Sequence, residues 1–536
     1  MGRVIPNSFN SIRFFLHSNS IFNHSNIYFF GMLLMVVGLP FSVFLMSISL
    51  FILSGNWLLE GNYKEKITRF YHNKAALLIT SLFILHLIGL LYSHDFQYAF
   101  KDLRIKSPLF ILPFIIGSIE YTDRKKSNYV LLIFSLAILI SSLFYSFKYI
   151  IHPVADMRDV FVLVSHIRFG LLVDLVIFIL FYFTFQKNQF KKAYKIVFII
   201  TAIWLFAFLI IAQLFTGFII LIITIFLLAI IYFILSKKGL WKLVPISILF
   251  IVILLMVLRV GLTFRELSIK KPFDCKAFTD TTALGNRYTF SAFDQQYENG
   301  NYVWIYICEK EMETAWNQRS KIQYTGHDLK GQTINVTLIR FLTSLGYRKD
   351  AEGVNKLSEE QIAAIESGVV DWKFMSKYGV MARYNQTMAE VVYYLDTKNP
   401  NGSSLVQRFE YWKTAMSLIK RNILIGVGTG DVQKAFKKEY NRCNSKLVPE
   451  YRLRAHNQFI EFTVTFGVIG LLWFLIALFY PVFKLKKFDF LYIAFFMIAF
   501  ISMLTEDTLE TQAGICFFVF FSCFFLFCRK GTIDKV

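Results

Sequence analysis

Charge is what this chain has least of. Only 17% of its 536 residues are Asp, Glu, Lys or Arg, whereas a soluble globular domain carries about a quarter. Cysteine is also scarce at 6 residues, and glycine stops at 27. These low counts exclude a disulfide-stapled secreted domain and a collagen-like fibre. No Cys or His spacing resembles a zinc site. What is abundant is apolar: 56% hydrophobic, 18% aromatic, 60 Phe and a mean hydropathy of +0.51. That content excludes disorder. Because it is gathered into long runs, it points to a polytopic membrane protein. The net charge of +21 does not indicate nucleic acid, since no compact basic domain carries it. Much of it sits in short clusters between apolar runs, where it would orient a membrane protein.

A helix needs about 20 apolar residues to cross a bilayer, because no lipid-facing backbone group can be left unpaired. The runs predict twelve spans near 27–38, 40–58, 75–92, 107–119, 129–150, 166–185, 195–212, 218–235, 243–259, 459–482, 488–504 and 512–528. Gly38-Leu39-Pro40 offers a break between the first two, and Pro108 and Pro113 weaken the fourth. The first apolar stretch is too long for a signal peptide and lacks a small-residue cleavage site. Six basic clusters test this map. Lys64, Lys66, Arg69 and Lys74 follow span two, and Arg124, Lys125 and Lys126 follow span four. Lys187, Lys191, Lys192 and Lys195 follow span six, and Lys237, Lys238 and Lys242 follow span eight. Lys484, Lys486 and Lys487 follow span ten, and Arg529 and Lys530 follow the last. With twelve spans all six fall on one side, expected to be the cytoplasm. Both termini are then cytoplasmic, and the interval near 260–457 faces outward.

Three regions are therefore expected: a nine-helix bundle over 1–259, a mainly helical outer loop domain over 260–457, and three helices over 458–536. In the outer domain, Ser358 and Gln361 have capping-box spacing ahead of a helix that Gly368 would stop. Val380–Leu395 reads as helix and Asn399–Gly402 as a turn. From Ser404 to Lys420, Leu405, Phe409, Trp412, Met416 and Ile419 recur at helical spacing. An oxidising outer compartment would permit one disulfide among Cys275, Cys308 and Cys443, the pair left open.

The chemistry is sought between Ser404 and Pro481. Residues 404–457 hold eleven Lys and Arg against four Asp and Glu, a balance suited to an anionic lipid or diphosphate beside a membrane. His456 lies at the mouth of a spanning helix, whose positive dipole end disfavours imidazolium. A neutral ring could take a proton from a hydroxyl nucleophile, and otherwise His456 is an interfacial capping residue. Asn457 would cap the helix or orient the ring. Arg408 could grip diphosphate oxygens through its planar fork, or pair with Glu410 on a solvated face. Arg168 enters span six from the outer side, a costly place that points to function unless the side chain snorkels. Glu506, Asp507 and Glu510 share that face, either to orient the histidine or bind acceptor hydroxyls, or as a simple polar loop between spans. Gly426-Val427-Gly428-Thr429-Gly430 lacks the lysine of a P-loop and reads as a tight turn into a helix near Asp431. His86, Asp174 and Glu461 lie within spans with no legible partner.

At Gln407-Arg408-Phe409-Glu410-Tyr411-Trp412-Lys413, Gly426–Asp431, Ala455-His456-Asn457-Gln458 and Phe466-Gly467 the sequence resembles the O-antigen ligase superfamily of bacterial membrane glycosyltransferases. This motif region covers 403–480. Ser165-His166-Ile167-Arg168 and Glu506-Asp507-Thr508-Leu509-Glu510 look like weaker family features, and Asn335–Gly368 like an insertion. The resemblance implies a GT-C-like fold in the bacterial inner membrane, with the large periplasmic loop closing over the site. It implies an undecaprenyl-diphosphate-linked glycan donor, a hydroxyl acceptor such as lipid A-core, inverting transfer, and no metal or other cofactor. His456 would be the base or its close partner, and Arg408 and Arg168 would hold the donor diphosphate. One departure is that Phe215-Thr216-Gly217-Phe218 stands where many members carry Ser-Arg-Gly. A polysaccharide polymerase and a protein O-oligosaccharyltransferase are the near alternatives. A lipid-linked glycan transporter is the distant one, expected to show repeated halves that this chain lacks.

Overall fold

The computed structural model describes residues 23–120, 124–152, 157–187, 189–235, 243–291, 296–375, 379–484 and 489–529. The two termini, with Lys237, Lys238, Lys242, Lys486, Lys487 and Lys530, lie outside the described residues.

The first half is a bundle of α1 (His24–Phe41), α2 (Val43–Glu60), α3 (Tyr63–His72), α4 (Lys74–Leu90), α5 (Phe96–Lys106), α6 (Pro108–Ser118), α7 (Arg124–Ile151), α8 (His166–Phe185), α9 (Lys192–Ile211), α10 (Phe215–Leu235) and α11 (Leu243–Ser268). The first hairpin turns at Ser42, two residues beyond the expected Pro40. Its extended backbone (φ −164°) breaks the helix while its hydroxyl caps Leu45. Gly217, in the segment that departs from the family pattern, is a packing residue, because a Cβ there would lie 3.1 Å from the Gly170 backbone.

Twelve spans were expected, but seven helices among the described residues are by themselves long and apolar enough to cross: α1, α2, α7, α8, α9, α10 and α19 (Gln458–Phe483). An eighth is reached if α3 and α4, bent by 91° at Asn73, count as one. The shorter helices have identifiable causes. Pro108 starts α6 and Pro113 sits inside it, leaving 11 residues. Near the C-terminus, α20 (Phe490–Thr505) has 16 residues. α21 (Gln512–Cys523) passes into a π turn at Phe524–Cys528. All belong to the same apolar core as the longer helices.

Between α11 and α19 the chain builds separate small cores. One runs from Val303 to Ile365 and is formed mainly by α12 (Glu309–Arg319), α13 (Ile334–Leu345), α14 (Ala351–Asn355) and α15 (Glu359–Glu366). Its organised region thus begins upstream of the expected insertion. The strands among the described residues are two-residue pieces, β1 (Tyr297–Glu298) and β2 (Asn301–Tyr302), paired antiparallel. Both hydrogen bonds of the Ser358–Gln361 capping box are present, and Gly368 follows the helix at φ +78°. All six cysteines are free thiols, so no pair among Cys275, Cys308 and Cys443 is bridged. Cys308 is buried among Tyr288, Tyr302 and Tyr306, whereas Cys443 ends a helix of another core.

The last core joins α17 (Ser404–Arg421), α18 (Val432–Arg442) and the start of α19; α16 (Gly379–Thr397) leads into it. Here the apolar stripe read from the sequence divides: Trp412 and Ile419 pack against this core, and its other members face outward. Tyr411, Ala415 and Leu418 are buried against α18, while Leu405, Phe409 and Met416 are exposed. That exposed stripe is followed by Ile423, Leu424 and Ile425, also exposed. The Ile423 and Leu424 carbonyls accept from the Val468 and Ile469 amides on α19. Helical spacing of apolar residues thus serves both this core and an exposed face.

Gly467 makes this junction. It breaks the α19 ladder at φ 66° and ψ −168°, and a Cβ there would stand 2.1 Å from the Leu424 carbonyl oxygen. Gly467→Ala is expected to lower stability by at least about 2 kcal/mol, since L side chains rarely adopt that backbone and the obstructing atom is main chain. A melting curve of the detergent-solubilised protein checks this; an unshifted midpoint would mean the kink is not required.

Candidate active site

The turn Arg454-Ala455-His456-Asn457 enters α19. Asn457 is its N-cap, with Oδ1 accepting from the Phe459 and Ile460 amides at 3.0 Å each. Its Nδ2 donates to the Leu504 carbonyl, 2.8 Å away on α20. Asn457 therefore ties the mouth of α19 to the end of α20, where Glu506 and Asp507 begin the next loop. His456 sits just before the cap in a left-handed conformation (φ 46°) uncommon for a side-chain-bearing residue. The ring turns toward that loop: Nδ1 lies 3.5 Å from Glu506 Oε2 and 3.6 Å from Asp507 Oδ1. Tyr411 packs beside it with ring centroids 5.7 Å apart.

Arg408 projects from α17 into the same place and donates from a terminal nitrogen to Glu506 Oε1. Glu506 therefore lies between the guanidinium and the imidazole. The helix-dipole expectation of a readily neutral ring is overturned here. Burial lowers the His456 pKa, but the two facing carboxylates outweigh burial and raise it above that of a free histidine. The dipole is a fractional charge, and two carboxylates within 4 Å are larger.

A second layer of charge lies beneath. Lys106, at the end of α5, is 1% exposed and donates to Glu510 Oε2 at 2.7 Å and Asp102 Oδ1 at 3.0 Å. Arg454 reaches Glu510 at 3.0 Å and Glu461 at 2.9 Å. Gln458 donates to Glu510 and accepts from the Leu509 amide. Burial would raise the Glu510 pKa, but Lys106 and Arg454 overcome it and hold the carboxyl below its ordinary range. Glu510 thus faces this network, while Glu506 and Asp507 face the histidine.

Arg168 comes from the first turn of α8, whose N-cap Ser165 accepts from its backbone and from Nη1. It lines a small cleft together with Thr508, the residue after Asp507. The fold therefore brings His456, Arg408, Glu506 and Asp507 into contact and sets Arg168 against the same loop. The Gly-rich run has its amides engaged. Val427 and Gly428 donate to the Val464 and Thr465 carbonyls at 2.9 Å, and Gly430 donates to Ser93 Oγ at 2.9 Å. That use fits a tight turn docked on α4 and α19.

Nitrogen and oxygen atoms of His456, Glu506 and Asp507 lie within 4.8 Å of one another, a spacing a divalent ion could bridge. Arg408 already neutralises Glu506, which disfavours a second positive charge there. Sequence reading missed Lys106, Arg454 and Gln458 and left Glu461 without a partner. The one signal was excess charge next to apolar runs, because their partners are up to 404 residues away. Asp174 is fully buried on α8 with neither oxygen hydrogen-bonded.

Residues 374–475 match the family model described as O-antigen ligase. Arg408, the Gly-rich turn, His456 and Glu461 fall inside that stretch; Arg168, Lys106 and 506–510 fall outside it. An uncharacterized protein of Haemophilus influenzae is 30% identical over 135 residues, 25% of this chain and 33% of that protein. The chain thus spans about a third of the length of this curated relative.

Proposed function

Because residues 374–475 carry the O-antigen ligase domain, we propose that this multi-pass membrane protein transfers a glycan from an undecaprenyl-diphosphate-linked donor to a hydroxyl acceptor on the periplasmic face of the bacterial inner membrane. The observation that carries this is the contact chain Arg408–Glu506–His456 at the mouth of α19. In this reading the bent α3–α4 pair, α6, α11, α20 and α21 complete twelve crossings, both termini are cytoplasmic, and the domain between α11 and α19 is periplasmic.

The residues support an inverting displacement without a metal. Glu506 and Asp507 attract the Nδ1 proton of His456, which leaves Nε2 free to accept one. As the acceptor oxygen bonds to the anomeric carbon, its proton passes to Nε2. The bond from that carbon to the diphosphate oxygen breaks, and its electron pair leaves with the phosphate. Arg408 and Arg168 stabilise the departing charge, which is greater in the transition state than in the bound donor. Asn457 keeps the turn in place. A lipid-borne donor explains why such a site lies at the mouth of an apolar helix, beside α17 with its exposed Leu405 and Phe409.

Arg408→Lys is expected to reduce transfer at least tenfold, because an ammonium cannot reproduce the two-pronged contact with phosphate oxygens. Transfer from purified lipid-linked donor measures it; full activity in the lysine variant would remove Arg408 from donor binding. The reading as a whole is tested by deleting the gene and examining envelope glycans. Loss of long chains with free core supports ligation to lipid A-core, single-repeat capping indicates a polymerase, and bare glycoproteins indicate protein glycosylation. Unchanged glycans would refute it.

A further inference from the structure

At the far end of α11, apolar sequence gives way to charge at Arg259, and a groove of about 520 Å³ opens there. Thr263 and Glu266 line one side from successive turns of α11. The opposite side is the 3₁₀ turn Trp372–Met375, with Asn385 of α16 and Gln361 of α15. None of these residues takes part in the site around His456.

Three features show that the groove is built to receive something polar. Thr263 is 4% exposed, yet among the described residues its hydroxyl has no hydrogen-bond partner, an unfavourable state for a buried polar atom. Asp371 is 1% exposed. Its Oδ1 accepts from Asn299 and from the Lys373 amide, and the residue lines the groove. Between them Trp372 is 46% exposed on a backbone whose amide is held by Ser344.

The lining also restricts the ligand class. Arg259 and Lys373 stand against Glu266, Glu360 and Asp371, so the wall is close to neutral, slightly acidic, and does not attract phosphate. A flat exposed aromatic ring flanked by carboxylate, carboxamide and hydroxyl groups suits a ligand with apolar C–H faces and many hydroxyls. We propose that this groove binds a stretch of oligosaccharide, away from the reacting sugar, as a subsite that holds a long glycan chain. The proposal rests on the reading of the protein as a glycan transferase.

The test uses the full chain in detergent. Its probe is oligosaccharide of several repeat units, released by mild acid from the host's own envelope glycolipid, with binding measured by calorimetry. Trp372→Ala is expected to weaken binding about tenfold, with Trp372→Phe near wild type and Asp371→Asn weakened severalfold. Inorganic diphosphate should not displace the sugar. No binding by wild type, equal binding by Trp372→Ala, or displacement by diphosphate would each overturn the subsite. Transfer is measured in parallel. Trp372-dependent binding without any transfer refutes the proposed activity and leaves the groove standing. Transfer with binding indifferent to Trp372 does the reverse.

Discussion

His456→Ala is expected to abolish glycan transfer, a loss on the order of 10²- to 10⁴-fold for a general base, while insertion and abundance remain those of wild type. The side chain is partly exposed and ends a turn whose cap is Asn457, so its removal leaves the helix start intact. The environment adds a pH signature. Burial lowers the His456 pKa, but Glu506 and Asp507 raise it further than burial lowers it. The ring accepts a proton only when neutral, so activity should rise with pH through this elevated value and be lost below it. Glu506→Gln removes a charge that favours imidazolium. The acidic limb should therefore move to lower pH, and the plateau should fall because a base of lower pKa is weaker. Transfer rates across pH measure both. Wild-type turnover by His456→Ala would remove the residue from the mechanism, and an unmoved limb in Glu506→Gln would separate the carboxylate from it.

Lys106→Met is expected to cost about 3–5 kcal/mol, as does breaking other buried ion pairs from one side. The ammonium is 1% exposed and touches two carboxylates that are themselves buried. Without it Glu510 keeps Arg454, but Asp102 is left facing His86, whose Nδ1 is 3.6 Å away. The loss should reach the site as well, because Glu510 ends the loop that carries Glu506 and Asp507 and grips the turn that carries His456. Adding Asp102→Asn to Lys106→Met should recover part of the stability, since it removes the stranded charge. Thermal unfolding of the detergent-solubilised protein gives both values. A single variant within about 1 kcal/mol of wild type would mean that solvent relieves the charge.

The difference between what the residues reveal and what they conceal follows from distance along the chain. Asn457 as a cap, the Ser358 capping box and the turn at Gly426–Gly430 depend on neighbours within a few residues, and the structure contains all three. The helical period from Leu405 to Ile419 is legible in the sequence, but which members pack inward, Trp412 and Ile419, and which lie exposed is not, because one apolar pattern serves both faces. The lengths of the spans were not legible for a related reason. Apolar runs mark α6, α20 and α21, but their lengths depend on prolines and on packing against other helices.

Composition and local periodicity by themselves determined that this is a helical, multi-pass membrane protein and marked Arg408 and His456 for attention, since bilayer energetics and helix geometry act over a few turns. Only the tertiary structure decided that Glu506 joins those two residues, that Glu510 faces Lys106 and Arg454, and that burial and two carboxylates together set the charge on the imidazole. Those pairings form across as many as 404 residues of chain. Their strength depends on distance and exclusion of water, which no local pattern encodes.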